Sequence, residues 1–353
     1  MSKRRLYETV LTGLALSVAT ASGAIAQEEI GFVVHAYGNP FIQQIIDGAM
    51  AAGEDLGVTI TVAGEPGGSP EGQLRLVQDF ANSGVEAVIT SVPGESMVLA
   101  LNDLIGMGIT MAQFNLLGAT VEAPYIGERS VQSGRVLGGM IVDELGGAGA
   151  TGTVIIGICF PGFPVLENRA IGVQEALAAA PGLTVLGPFD VKVSESENFG
   201  RWEQLYAANP DVAAMIGLCA PDVASLGKLN EANGNTFVAG GYDLTESNLN
   251  AIGDGHAFVT IGQSAFVQGY LPVALVVNAL RSGTALTPGF YDSGIQIVTA
   301  DSVDMGNGLP AISFAEAVAL AGDPAATRAY YAPWVATVTA GGLVSEPVAA
   351  ESE

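Results

Sequence analysis

The sequence is poor in the residues that hold metals and in those that attract nucleic acid. Its 353 residues include two Cys, two His and 12 Lys and Arg. The Cys and His residues stand singly, without the spacing of a zinc site, so we expect no bound metal and no cofactor. No G-x-S-x-G elbow and no G-x-x-x-x-G-K-S/T loop occurs, which argues against α/β-hydrolase and P-loop chemistry.

Negative charge exceeds positive charge by a wide margin. The 36 Asp and Glu against 12 Lys and Arg give a formal net charge of −24 at pH 7. A surface with so few cations cannot displace counterions from phosphates, so we expect no nucleic-acid partner and no binding to anionic lipid. The acidity by itself identifies no partner.

The apolar runs are too short to span a membrane. The run near the N-terminus, residues 10–19, is about half the length that a hydrocarbon core requires. It follows three basic residues at 3–5 and precedes Ala-Ile-Ala at 24–26, a pattern that a signal peptidase accepts. We therefore predict a signal peptide over residues 1–26 that is removed on export, with no lipid anchor; an uncleaved membrane anchor is the alternative.

Beyond residue 29 the chain alternates strand and helix patterns in two similar series. Five short β-branched runs lie between residues 30 and 126, separated by amphipathic stretches such as Pro40–Leu56 and Pro70–Ser83. A second series of five runs follows a Gly/Ala-rich joint at residues 146–152. Parallel sheets covered by helices give this rhythm. We predict an α/β fold of two similar, doubly wound parallel-sheet lobes with the ligand cleft between them; a two-domain α/β enzyme is the alternative.

Several short segments, taken in order and with their spacing, resemble a known family. They are Tyr37-Gly38-Asn39-Pro40-Phe41, Val85-Glu86-Ala87-Val88-Ile89, Gln113-Phe114-Asn115, Asn168-Arg169-Ala170-Ile171-Gly172-Val173, Gly240-Gly241-Tyr242-Asp243, Ile261-Gly262-Gln263, Gln268-Gly269-Tyr270 and Tyr291-Asp292-Ser293-Gly294-Ile295. With them the chain resembles the periplasmic sugar-binding proteins of the ribose- and galactose-binding type, the receptors of bacterial ABC importers, over about residues 30–304. The resemblance implies the type I periplasmic binding protein fold and no enzymatic activity.

The resemblance also implies that the lobes are discontinuous and joined by a three-strand hinge. The expected N-terminal lobe is 27–128 plus 262–290, and the expected C-terminal lobe is 129–261 plus 291–304. Residues 305–353 remain as a C-terminal extension, whose Tyr330, Tyr331 and Trp334 we expect to pack on a lobe. Its acidic end is expected to be disordered.

The positions that match the family's ligand contacts form the predicted site. Its polar members are His35, Asn39, Asn115, Arg169, Asp243 and Gln263. Its ring candidates are Phe41, Phe114, Phe199 and Tyr242, with Trp202 one helical turn after Phe199. Fork-shaped polar groups suit the hydroxyls of a neutral sugar, and aromatic rings suit its C–H faces.

Several of these residues have structural alternatives. Asn39 could cap a helix instead, and Phe114 could be ordinary core. Arg169 could pair in solvent with a Glu of its own helix, an interaction worth little. Asp243 could cap the helix that follows it, and His35 could be an ordinary strand-end residue.

Two positions depart from the family pattern. Pro221-Asp222 stands where ribose-type members carry an Asn-Asp pair, and Val92 stands where some members carry an Asn. Because a buried hydroxyl without a partner is costly, we expect a ligand with fewer or differently placed hydroxyls than ribose. A deoxy sugar, a polyol and a cyclitol fit this expectation.

The two cysteines, Cys159 and Cys219, follow the first and third strands of the second series. Those strands are neighbours in a doubly wound sheet, and an exported protein meets an oxidising compartment, so a disulfide is plausible. Two buried free thiols are the alternative. The distance between the two Cα atoms decides whether a disulfide can form.

We therefore predict a monomeric periplasmic protein that closes on a small neutral sugar or polyol and delivers it to an ABC permease of the inner membrane. A receptor for a non-sugar ligand or signalling molecule is the alternative. A transcription regulator on the same lobes would need an N-terminal helix-turn-helix, where this sequence has the predicted signal peptide. A glycoside hydrolase would need paired carboxylates, and only Asp243 is expected to project into the cleft.

Overall fold

Strands and helices alternate along the first part of the chain, in a computed structural model that describes residues 28–339. The predicted signal peptide and the predicted disordered acidic tail lie outside the described residues. The first elements are β1 (Glu29–His35), α1 (Pro40–Leu56), β2 (Thr59–Glu65), α2 (Pro70–Ser83), β3 (Ala87–Thr90), α3 (Val98–Gly106), β4 (Thr110–Phe114) and β5 (Tyr125–Gly127). Strands such as β1 are apolar on both faces because helices cover both sides of the sheet.

The second series has the same rhythm. It consists of α4 (Ser130–Glu144), β6 (Thr151–Ile158), α5 (Pro164–Leu177), β7 (Gly182–Asp190), α6 (Glu195–Ala208), β8 (Val212–Gly217), α7 (Asp222–Ala232), β9 (Val238–Tyr242), α8 (Glu246–Gly253) and β10 (Val259–Gly262). The chain continues with α9 (Ala265–Ser282), β11 (Phe290–Asp292), β12 (Gln296–Thr299), β13 (Val303–Asp304), α10 (Phe314–Ala321) and α11 (Pro324–Thr339). Within residues 28–339, no helix has the length and apolarity needed to cross a membrane.

The strands form two sheets, one in each lobe. The first sheet has the order β11-β5-β4-β3-β1-β2 and is parallel throughout. The second has the order β13-β12-β10-β9-β8-β6-β7, parallel except at β12 and β13. The prediction of two doubly wound parallel-sheet lobes is confirmed.

The chain passes between the sheets three times: after β5, after β10 and after β11. The three crossing segments are hydrogen-bonded to one another. The Ser293 backbone N–H donates to the Gly127 carbonyl oxygen at 2.8 Å, and the Ser293 hydroxyl donates to the Gln263 carbonyl oxygen at 3.1 Å. The lobes are therefore joined by a narrow bundle of adjacent crossings, the arrangement that a hinge motion requires.

In each lobe one pair of helices packs at backbone distance. A Cβ placed at Gly172 of α5 would overlap the Val131 carbonyl oxygen of α4, and one at Gly269 of α9 would overlap the Ile45 carbonyl oxygen of α1. The first contact holds α5, which carries Arg169, against α4, and the second holds α9 against α1. Glycine is required at these crossings by space, since larger side chains would force the helices apart.

Two adjacent glycines on α4 allow a matched test of this packing. A Cβ at Gly138 would lie 2.8 Å from both the Ala176 Cβ and the Val173 carbonyl oxygen, whereas a Cβ at Gly139 would have nothing within 4 Å. Gly138→Ala should lower the free energy of unfolding by about 1–3 kcal/mol. Gly139→Ala should raise it by about 0.4–1 kcal/mol, because it restricts the unfolded chain. Urea unfolding followed by circular dichroism compares the two; equal effects would contradict the packing described.

Candidate functional site

A cavity lies between the lobes at the carboxyl ends of the parallel strands, where such sheets bind ligands. Counted with the solvent space at its mouth, it measures about 460 Å³. It is lined by His35, Ala36, Asn39, Phe41, Ile42, Asn115, Leu116, Cys159, Phe160, Phe163, Val165, Leu166, Arg169, Val193, Cys219, Ala220, Asp243 and Gln263. Both lobes and one hinge crossing therefore contribute to its wall.

The backbone turns sharply at four strand ends around this cavity. Ala36, Asn115, Asp243 and Ser264 follow β1, β4, β9 and β10, or lie one residue beyond, with φ values of +48°, +58°, +76° and +51°. Residues with side chains rarely adopt this left-handed region, and such strain tends to occur at functional sites. The turn carries Asn115 and Asp243 out of the direction of their strands and into the cavity wall.

A chain of hydrogen-bonded side chains crosses the hinge beside the cavity. The Asn115 Nδ2 donates to the Gln263 Oε1 and to the Gln268 Oε1, both at 3.1 Å. The Gln263 Nε2 donates to the Asp243 Oδ1 at 2.7 Å. The chain connects the end of β4 in the first sheet, through the crossing after β10, to the end of β9 in the second. The polar edge of the cavity is thus shared by the two lobes.

Burial controls the ionisation of Asp243. Loss of hydration raises the pKa of its carboxyl to about 6, although Arg169 and the Gln263 hydrogen bond favour the charged form. Asp243 does not cap the following helix, because Thr245 does so by accepting from the Asn248 backbone N–H. Asp243 is thus a buried carboxylate near neutral pH, with hydrogen-bonding capacity beyond the one bond from Gln263.

Arg169 is held within a buried ion pair. Its guanidinium contacts the Glu128 Oε1 at 2.5 Å and donates from Nη1 to the Leu218 carbonyl oxygen at 2.9 Å. It also lies over the Tyr242 ring, 3.9 Å from the centroid. Both side chains of the ion pair are almost fully buried, with 2% and 1% exposed. Tyr242 and Glu128 therefore support Arg169 from behind the cavity wall.

The alternative that Arg169 pairs in solvent with a Glu of its own helix is wrong. Glu175 of α5 pairs with Arg135, and Glu167 accepts a hydrogen bond from the Gly162 backbone N–H. Pairing with Glu128 was not anticipated, because that residue is far away in sequence and lies in the crossing after β5.

His35 lies in the cavity wall as a neutral imidazole. Its Nδ1 is hydrogen-bonded to the Ser91 hydroxyl at 2.9 Å, and the Gln73 side-chain amide donates to the same hydroxyl oxygen at 2.7 Å. Burial lowers the pKa of His35 to about 3, because the charged form would lose its hydration. The ring can thus act as a hydrogen-bonding group without bringing charge into the cavity.

Asn39 caps a helix and also lies in the cavity wall, and the ligand contact predicted for it stays a prediction. Its Oδ1 accepts from the Phe41 backbone N–H at 2.9 Å, which caps α1. It also lines the cavity, together with Phe41. The hydrogen bond that caps α1 also fixes the Asn39 side chain at the edge of the cavity.

The other ring candidates lie outside the cavity wall. Phe114 stacks on Phe32 in the first-lobe core, with centroids 4.8 Å apart. Phe199 packs on the second-lobe core beneath the Lys228 ammonium, and Trp202 is fully buried there. The position of each residue relative to its strand explains part of this result. Phe114 and Tyr242 are the last residues of β4 and β9 and are directed to the core, whereas the next residues, Asn115 and Asp243, reach the cleft.

Two rings that line the cavity were missed by the sequence reasoning. Phe160 and Phe163 stack on each other with centroids 4.7 Å apart, and Phe163 meets the His35 ring edge-on at 6.3 Å. Both lie in the loop directly after β6, where Cys159-Phe160-Pro161-Gly162-Phe163 combines turn residues with aromatics. That position at a strand's carboxyl end was a usable signal.

A disulfide joins Cys159 to Cys219, with 6.1 Å between the two Cα atoms. It connects the loop after β6 to the loop after β8, so the two loops of the apolar wall are held together. The bridged loops are further fixed by Asp222, which accepts from the Cys219 backbone N–H at 2.8 Å and from the Trp202 Nε1 at 2.9 Å.

The two positions that depart from the family pattern, Pro221 and Val92, do not line this cavity, although Pro221 lines a neighbouring cavity that shares Asn39 and Ala220 with it. Asp222, which follows Pro221, is fully buried, and burial raises the pKa of its carboxyl to about 7. Val92 packs in the outer cluster of the first lobe. Within residues 28–339, no cluster of three or more His, Cys, Asp or Glu side chains could hold a metal ion.

Comparison with known proteins gives one family and several relatives. A family model described as a periplasmic binding protein domain matches residues 30–285. The chain is 27% identical to the xylose/arabinose-binding protein of Sulfolobus acidocaldarius. That match covers 51% of this chain and 45% of the relative's length. It is 26% identical to the ribose import binding protein of Haemophilus influenzae over 78% of this chain and 92% of that protein.

Solved structures share the fold at lower sequence identity. A solute-binding protein from Burkholderia graminis, in complex with D-arabinose, has a TM-score of 0.73 at 20% identity and covers 78% of this chain and 96% of its own. One from Actinobacillus succinogenes, with bound D-allose, has a TM-score of 0.71 at 17% identity and covers 78% of this chain and 98% of its own.

The Arg169–Glu128 pair predicts an asymmetric response to mutation. Arg169→Ala should lower the free energy of unfolding by about 3–5 kcal/mol, because it leaves Glu128 buried without its cation. Arg169→Met combined with Glu128→Gln should lose much less, since no buried charge remains. Denaturant unfolding of the three proteins measures this. A single variant as stable as the double variant would contradict the buried pair.

Proposed function

The chain belongs to the periplasmic binding protein family, and on that premise we propose that it binds a small neutral sugar or polyol and delivers it to an ABC permease. It performs no chemistry on its ligand and acts as a monomeric periplasmic carrier. The observation that carries this proposal is the cavity between the lobes, whose polar edge is built by Asn115, Gln263 and Asp243 across the hinge.

The charges around the cavity argue against an anionic ligand. Arg169 is balanced by Glu128, and His35 is neutral. An anion would therefore enter a low-dielectric space without a free counter-charge, which is costly. A carboxylate and amides aligned along one edge suit hydroxyl groups, because each can take part in more than one hydrogen bond.

The position of the cavity supports transport by closure. Residues of both lobes line it, so a ligand makes its full set of contacts only when the lobes are together. Binding therefore favours the closed form by differential affinity. The relatives that bind xylose, arabinose and ribose by name support a sugar as the ligand.

The proposal predicts pH-dependent sugar binding through Asp243. Calorimetric titration against pentoses, hexoses, deoxy sugars and polyols should find a ligand that binds at pH 7. Its Kd should rise about tenfold between pH 7 and pH 5, because protonation of a carboxyl with a pKa of about 6 removes a hydroxyl acceptor.

Asp243→Asn is the control for this prediction, since the amide keeps the shape and does not titrate. It should bind more weakly at pH 7 and show little change toward pH 5. If sugars and polyols give no heat while a purine, an amino acid or a peptide binds, the ligand class proposed here is wrong. If wild type and Asp243→Asn share one pH profile, Asp243 is not the titrating group.

A further inference from the structure

The cavity wall contains two connected sets of side chains, in addition to lining residues such as His35, Asn39 and Arg169. The polar set is the hydrogen-bonded chain of Asn115, Gln263 and Asp243. The apolar set forms one hydrophobic cluster, in which Leu116 of the first lobe packs against the disulfide, Leu166, Phe160 and Phe163 of the second. A ligand held between the lobes therefore meets hydrogen-bonding groups along one part of its edge and hydrocarbon along another.

The apolar set is larger than the faces of a sugar ring require. Two rings suffice to cover the C–H faces of a hexose, but Leu116, Leu166, Val165 and Val193 add aliphatic wall beyond Phe160 and Phe163. A ligand hydroxyl directed at these side chains would lose water and gain no partner. That loss weakens binding about tenfold to a hundredfold.

We propose that the ligand is a deoxy sugar, in which a methyl group occupies the part of the edge that faces Leu116, Leu166 and the disulfide. The proposal rests on the sugar-binding function given above and narrows it to sugars with one apolar edge. The remaining hydroxyls lie along Asn115, Gln263 and Asp243.

Pairs of sugars that differ in one oxygen atom test the proposal. The probes are D-fucose with D-galactose, L-fucose with L-galactose, L-rhamnose with L-mannose, and D-quinovose with D-glucose, each titrated by calorimetry at pH 7. In the pair that binds most tightly, the 6-deoxy member should bind at least about tenfold more tightly than its hydroxylated partner.

A second experiment changes a residue of the cavity wall instead of the ligand. Leu166→Thr adds a hydroxyl to the apolar set and should reduce the preference for the deoxy sugar. Ile171→Thr is the matched control, because Ile171 lies on the same helix and is 46% exposed; it should leave the preference unchanged.

The possible results distinguish the deoxy-sugar proposal from the sugar-binding function on which it rests. Equal or tighter binding of the hydroxylated members, or tight binding of a pentose with all hydroxyls while every deoxy sugar fails, overturns the deoxy-sugar proposal and keeps sugar binding. Failure of every sugar and polyol overturns both.

The C-terminal helices α10 and α11 connect the two lobes outside the hinge. On α10, Phe314 packs against the second-lobe cluster that contains Ile252 of α8. On α11, Tyr331 stacks on Phe266 of α9 with centroids 4.8 Å apart, and Arg328 pairs with Glu54 and Asp55 of α1. A two-residue turn, 322–323, joins the two helices.

This connection lies beside the junction that must separate when the lobes open. The Gln44 side-chain amide of α1 donates to the Leu244 carbonyl oxygen of the second lobe at 3.0 Å. Gln44 and Leu244 also line a cavity of about 560 Å³, counted with the solvent space at its mouth, whose wall includes residues of α10 and α11. Rotation of one lobe away from the other would stretch the short turn or detach one helix.

We infer that α10 and α11 form a strap that holds the lobes toward the closed form. The strap stabilises closure without contacting the ligand, so it raises affinity by increasing the closed population. This inference depends on the contacts of α10 and α11 and holds for any ligand of the cleft.

A protease recognition site inserted at residues 322–323 allows the strap to be cut while both helices keep their contacts. Cleavage should increase the radius of gyration of the ligand-free protein in small-angle scattering, and it should weaken the binding of any sugar found above about threefold or more. The uncut sample is the first control. A cut at the exposed turn 234–235, which joins elements of one lobe only, is the second and should change neither quantity. Identical scattering and affinity before and after cleavage at 322–323 would overturn the strap.

Discussion

The cost of removing charge from water is the constraint on which this site depends. Five ionisable side chains are buried around the cleft: His35, Glu128, Arg169, Asp222 and Asp243. Each is tolerable only because a specific partner or a change of ionisation compensates the lost hydration. Arg169 and Glu128 neutralise each other, His35 gives up its proton, and Asp222 accepts hydrogen bonds from Trp202 and the Cys219 backbone. Asp243 keeps a partly unused carboxylate at the cavity, and we therefore propose it as the centre of ligand recognition.

These compensations also decide the mechanical behaviour of the protein. Arg169, Tyr242 and Glu128 fix the second-lobe side of the cavity, and the disulfide fixes the aromatic loop beside it. Asn115 and Gln263 connect this rigid wall to the first lobe through the hinge. Lobes with firm walls and narrow connections favour motion as rigid bodies, so the energy of ligand contacts is directed into closure. The helices α10 and α11 add a second connection at the outer edge of the same junction.

Much of the fold could be predicted because local signals agree with the tertiary structure. The bounds of α1 and α2 match the prediction, since Asn39 and Ser69 cap them, proline starts them, and Gly57 and Gly84 follow their last residues. The polar strand-end residues were named from the resemblance to the family, and the structure brings them together because parallel strands place their carboxyl ends at one edge. The aromatic residues of the cavity were harder to predict. Phe114 and Tyr242 differ from Asn115 and Asp243 by one position. Asn and Asp adopt the left-handed turn that separates core from cleft more readily than most residues, but their presence alone does not predict it. The positions of Glu128 and Phe163 at the site depend on contacts with residues distant in sequence, which hydrophobic periodicity cannot predict.

The most direct test of the proposed site is a crystal structure of the protein with a bound sugar. We predict one sugar ring in the cavity between the lobes, with its hydroxyls on Asn115 and Asp243 and its carbon face or methyl group against Phe163 and Leu166. A ligand seated elsewhere, such as in the cavity beneath α10 and α11, or one whose hydroxyls all point away from Asp243, would contradict it.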